Sequence, residues 1–102
     1  MPTYEEALVY LGIDYADETV AANVKRAMAA ARATLHGAVG EDVEALLPGD
    51  DRVKELALIY TDDLYTNRGL SAKVSGATRR LVQSMELQLR LELRKKRKAV
   101  SV

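Results

Sequence analysis

Val20, Val24, Ala27, Met28, Ala31 and Leu35 recur at steps of three and four residues, the spacing of one side of an α-helix. Seven alanines between Ala21 and Ala33 leave the other sides of that helix thin, so more than one neighbour can approach it closely. Such a segment is stable only when other elements cover it, which directs the chain toward helix-on-helix packing. A length of 102 residues fits one domain with one core.

Three further helices follow from caps and composition. Thr3 before Tyr4, with Glu6 three residues on, makes a capping box, and Gly12 ends a first helix near Leu11. The long alanine-rich helix is expected to start after Asp17 or nearby and to end at about His36, with Gly37 as its stop. Leu46-Leu47-Pro48-Gly49-Asp50-Asp51 reads as a turn leading to an N-cap. The next helix runs to about Asn67, and its centre, Leu56 to Tyr60, is apolar nearly all the way round, as in a buried central helix.

Residues Arg68 to Ser75 read as a loop. From Gly76 to about Lys98 two periods compete. Leu87, Leu89, Leu91 and Leu93 alternate with polar residues as in a strand, yet the segment is rich in strong helix formers. No β-branched residue occurs between Gln83 and Ala99, and helix is the assignment. On that helix Leu81, Val82, Met85, Leu89 and Leu93 form one stripe, and Leu87 and Leu91 a second on the opposite side. The expected fold is all-α, a small bundle of four helices with a long loop before the last. Residues 1–93 form the domain and 94–102 a basic tail. The expected core holds Val24, Met28, Leu35, Leu56, Ile59, Tyr60, Leu81, Met85 and Leu89.

Chemistry is sparse. The chain has no Cys, which excludes disulfides, thiolate metal sites and cysteine nucleophiles. His36 is the single histidine, placed at a helix end where a cation suits the dipole, with no Ser/Asp set around it. Asp50 and Asp51 lie where an N-cap is needed, and Asp62 and Asp63 point ~100° apart on a helix, too far to chelate together. Calcium-loop spacing and phosphate-binding Gly-rich loops are missing. No catalytic residue, metal or cofactor is assigned, and the chain is read as not an enzyme. No apolar run approaches the ~20 residues of a membrane span. The start, Met-Pro-Thr-Tyr-Glu-Glu, lacks the basic and apolar regions of a signal peptide, so the chain is expected to stay in the cytoplasm.

Fifteen basic and fifteen acidic residues cancel, but not locally. Met1 to Asn67 carries 5 Lys/Arg against 13 Asp/Glu, net −8, and Arg68 to Val102 carries 10 against 2, net +8. Such a split suits head-to-tail contact between copies, or different charged partners at the two ends. Arg94-Lys95-Lys96-Arg97-Lys98 concentrates the positive end. Its readings are a solvated helix end, a contact with nucleic acid, or a contact with an acidic protein surface. No aromatic residue interleaves the cations for base stacking.

Glu5-Glu6-Ala7-Leu8-Val9-Tyr10-Leu11-Gly12-Ile13-Asp14 resembles the opening helix and "YLxID" turn of the head–tail connector (adaptor) proteins of long-tailed bacteriophages. Leu64-Tyr65-Thr66-Asn67-Arg68 is similar to that family's "xWYxNR" helix end, and Gln88-Leu89-Arg90 matches its "QLR" near the C-terminus. The order of helices agrees, so the resemblance spans Thr3 to about Arg90. Val74-Ser75-Gly76 stands where the family often has Pro-Tyr-Gly.

The resemblance implies a structural virion protein at the head–tail junction, of a phage, gene transfer agent or prophage-derived particle, assembled in the bacterial cytoplasm. Family members form a homo-oligomeric ring, typically twelve-fold, beneath the portal protein. The ring prolongs the DNA channel and meets the next neck or tail-completion protein. Under this reading Leu87 and Leu91 contact a neighbouring subunit, and Arg94, Lys95, Lys96, Arg97 and Lys98 contact portal or DNA. The loop of Arg68, Gly69, Leu70, Ser71, Ala72, Lys73 and Val74 meets a neighbour or the tail side. The alternative is a small helical nucleic-acid-binding or regulatory protein using its basic end.

Overall fold

The computed structural model describes residues 1–67 and 76–100, and within them the chain is helical with no strand. The elements are α1 (Tyr4–Leu11), α2 (Glu18–Ala38), α3 (Val43–Leu46), α4 (Asp51–Asn67) and α5 (Gly76–Val100). The four expected helices are present, and α3 is an added single turn. The loop assigned from Arg68 to Ser75 lies outside the described residues.

The starts are set by side-chain caps. Thr3 Oγ1 accepts the Glu6 N–H at 3.1 Å, and the Glu6 carboxylate accepts the Thr3 N–H at 2.9 Å. Asp17 Oδ1 accepts from Val20 N–H at 2.8 Å and opens α2. At α4 Asp50 is the cap, its Oδ1 taking the Arg52 N–H at 2.8 Å. Gly12 closes α1 in the left-handed conformation, φ 73°.

The expected stop at Gly37 is wrong. α2 runs through Gly37 to Ala38, and the chain turns at Gly40, φ 154°. Burial decides this: Val39 follows Leu35 at i+4 and is itself buried, so one more turn hides one more apolar side chain. Val43 and Leu47, also four apart and buried, draw the next residues into α3.

α2 and α4 lie antiparallel and form the centre. Leu35, near the end of α2, shares a cluster with Val53 and Leu56 at the start of α4, and Val24 with Leu58 further along. α1 closes over the second cluster. α3 and α5 close over the first, with Met85, Leu89 and Leu93 of α5 facing Leu35, Val39, Val43 and Leu47. The molecule measures 49 × 28 × 19 Å.

The expected core is largely observed, with one clear error. Leu56, Leu35, Val24, Met85 and Leu89 are buried, while Ile59, Tyr60 and Met28 are partly buried. Leu81 is 54% exposed. The cluster beneath α5 is built by α3 and the adjoining ends of α2 and α4, and Val82 stands at its edge. Leu81 precedes that edge on the helix, beyond the buried cluster of the described residues.

Candidate functional site

Several polar side chains with catalytic potential are held by ties within or between helices. Glu44 of α3 receives Arg32 Nε at 2.8 Å, and His36 Nε2 lies 2.7 Å from the same carboxylate oxygen. Burial pushes the Glu44 carboxyl up, but these two hydrogen bonds outweigh it and hold it below its ordinary value. His36 therefore anchors α3 to α2. Asp50 binds its own helix start and Arg52, and Asp62 accepts from the Thr66 hydroxyl at 2.9 Å. Among the described residues no three His, Asp or Glu side chains converge on a point where a metal ion fits. An open cleft beside Met1, Pro2, Met28, Ala29, Arg32 and Thr61 holds no pair of reactive groups in hydrogen-bond reach. No helix among the described residues is long and apolar enough to cross a membrane.

The surface of α5 is organised differently. Its two carboxylates point back into the molecule: Glu86 accepts from the Tyr60 hydroxyl, and Glu92 lies 3.3 Å from Arg52 Nη2. Burial, with the Glu86 hydrogen bond behind it, pushes the Tyr60 hydroxyl well above the usual phenol range, so Tyr60 donates at any ordinary pH. Arg90 Nη1 reaches the Ala38 carbonyl at 3.1 Å. On the opposite side Leu87 and Leu91 stay 51% and 47% exposed. Their spacing of four residues sets them one above the other, away from Met85, Leu89 and Leu93. This is the second stripe expected from the sequence.

The basic run is not a uniform patch. α5 continues unbroken through it to Val100, so the cations radiate from a helix. Arg97 reaches across to Asp42 at the surface and grips it with two hydrogen bonds, Nε–Oδ2 at 2.7 Å and Nη2–Oδ1 at 2.6 Å. The guanidinium holds the Asp42 carboxyl below its ordinary value. Arg94, Lys95, Lys96 and Lys98 remain exposed. Of the residues assigned to portal or DNA contact, Arg97 is thus occupied within its own subunit. The residues assigned to a neighbour or the tail side, Arg68 to Val74, lie outside the described residues.

One surface escaped the sequence reading. α1 turns Val9 outward, 81% exposed, beside Tyr10 at 41%. Burial, then the negative charges of Glu55 and Asp62 of α4, raise the Tyr10 hydroxyl above its ordinary value. Val9 was legible as an outward residue, because Ala7, Leu8 and Leu11 already define the inner side of α1.

Searches against protein-family models, curated proteins and solved structures find no match to this chain.

Proposed function

We propose that this chain is a non-enzymatic assembly subunit, a head–tail connector that forms a homo-oligomeric ring against the portal of a phage-type particle. The observation that carries the reading is the uncovered Leu87–Leu91 pair on a helix whose opposite side packs Met85, Leu89 and Leu93 into the core. A monomer gains nothing from apolar side chains there, whereas a neighbour covering them gains burial. The resemblance of residues Thr3 to Arg90 to the connector family supports the same reading and supplies the partners: portal, the next neck or tail-completion protein, and DNA passing through the channel.

Magnitudes favour many contacts over one. Burying the exposed halves of two leucines is worth ~1 kcal/mol each, well short of the 4–15 kcal/mol lost on association. A pair of subunits needs charge attraction besides. A closed ring gives every subunit two contacts, so each can be weak. Mass measurement in solution with negative-stain imaging tests the reading. Rings of uniform size are expected, at high concentration or on addition of portal. A chain that stays monomeric with portal and binds DNA in a salt-sensitive way would instead be the small nucleic-acid-binding protein.

A further inference from the structure

We infer that the outward stripe of α5 docks an acidic amphipathic helix of a partner protein, with apolar side chains of that helix on Leu87 and Leu91 and its carboxylates on Arg94 and Lys95. It rests on the connector reading only for the source of the helix, the portal against which the ring sits.

Helical geometry fixes what lies outward on α5. At ~100° per residue, the direction opposite the buried Leu89 falls midway between Leu87 and Leu91. Gln83, Ser84, Arg94 and Lys95 stand within ~60° of that direction. Neither carboxylate of the helix is among them. Glu86 and Glu92 lie on the inner flanks, bonded to Tyr60 and Arg52. Arg80 and Lys98 fall on the outward line, but each already interacts within the fold. The charge left to the stripe is that of Arg94 and Lys95, both exposed and unpaired with any carboxylate among the described residues.

The chemistry of the occupant follows from this arrangement. Leu87 and Leu91 are one turn apart, ~6 Å along the axis, the separation at which a facing helix offers two apolar side chains of its own. Cations at one end of the pair call for carboxylates at the corresponding end of the partner. Other occupants fit less of the stripe. Nucleic-acid phosphates would meet the cations and leave the leucines uncovered, and α5 has no aromatic side chain for base stacking. A helix lying in an anionic bilayer presents a broad apolar side, whereas here two leucines stand between Ser84 and Arg94. A second stripe from another copy would cover the leucines but add cations without cancelling any.

One such contact is small, so docking of a single subunit is weak. Around a ring the same contact repeats, and the sites act together once the first is engaged.

A fluorescein-labelled, alanine-based helical peptide with two leucines four residues apart and glutamates beside them is the probe. It is titrated with the full chain at low salt, and anisotropy reads the affinity. Leu87→Gln/Leu91→Gln should weaken binding about tenfold or more. Arg94→Gln/Lys95→Gln should weaken it about threefold or more and flatten its dependence on salt. Circular dichroism melts check that both variants keep the fold. A peptide with glutamine in place of glutamate, and polyglutamate without leucine, should each bind more weakly than the probe. No binding of the probe, or equal binding by either variant, overturns the inference. So does single-stranded DNA or polyglutamate binding as tightly as the probe, or leucine-dependent uptake by phosphatidylglycerol vesicles. Self-association of the parent that the leucine variant loses in the absence of peptide would assign the stripe to a second copy and also overturn it. Probe binding as expected, by a chain that neither forms rings nor co-purifies with portal, upholds the inference and defeats the connector reading. Rings on portal without probe binding give the reverse.

Discussion

The Glu6 carboxylate accepts from the Thr3 N–H at 2.9 Å and from the Lys54 ammonium at 2.8 Å, so one side chain caps the start of α1 and ties it to α4. Those partners, Lys54 first, lower its pKa from 4.5 to about 2. A folded-state value below the unfolded one stabilises the fold above the unfolded value, and the gain is lost as pH falls toward the folded value. Glu6→Gln should therefore lower the urea midpoint at neutral pH, with the gap from the parent closing between about pH 4.5 and 2. A gap that stays constant with pH would mean the carboxylate's charge contributes nothing. Two glycines give a second residue-scale test, with opposite signs. A Cβ at Gly40 would lie 2.6 Å from Arg97 Nη2 and 3.0 Å from Leu93 Cδ1, at φ 154°. Gly40→Ala should destabilise by ~1–3 kcal/mol. Gly37, inside α2 with open space around it, should gain up to ~1 kcal/mol as Ala. Thermal or urea melts of the two variants shifting in the same direction would contradict the α2–Gly40 geometry.

At the scale of elements, α5 separates packing from surface along one helix. Leu89 is fully buried and Leu89→Ala should cost ~2–5 kcal/mol. Leu87→Gln/Leu91→Gln should stay within ~0.5 kcal/mol per site in the monomer while weakening assembly. If the double variant unfolds the isolated subunit, α5 is packed on both sides. These helices were legible because their signals are local: Thr3 with Glu6, Asp17 and Asp50 cap within three residues, and a 3.6-residue period survives any tertiary context. The outward leucine pair was legible for the same reason, since periodicity assigns a side before any partner is known. What failed depended on distant residues. Gly37 is a plausible stop until Val39 finds a core, and α3 exists only because Val43 and Leu47 meet Leu89 and Leu93. Leu81 fits the stripe by period, yet the surface that would bury it ends one residue later. The Arg97–Asp42 grip spans 55 positions, and nothing near either residue announces it.

For the whole molecule, the opposed charges of the two segments are only partly spent inside the fold. Arg97–Asp42 and Arg52–Glu92 link α5 to the acidic part, while Arg94, Lys95 and Lys96 stay exposed. Attraction between exposed charges is screened over ~8–10 Å at physiological salt, so assembly should weaken as salt rises. Association unchanged at ~1 M salt would assign the interface to apolar contact. Truncation after Leu93 addresses the remaining cations. It removes the exposed Arg97–Asp42 pair, whose contribution solvent screens, and keeps Met85, Leu89 and Leu93. The shortened chain should remain helical by circular dichroism. Under the connector reading it should no longer co-purify with portal, with or without DNA, because the cations that would pair with acidic groups on portal are gone. Arg97→Ala in the full chain is the internal control: Arg97 already serves Asp42, so stability should fall slightly and portal binding should persist. Lys95→Glu/Lys96→Glu should do the reverse. If the truncated chain still binds portal and loses only affinity for DNA, these lysines face the channel and portal docking lies elsewhere on the subunit.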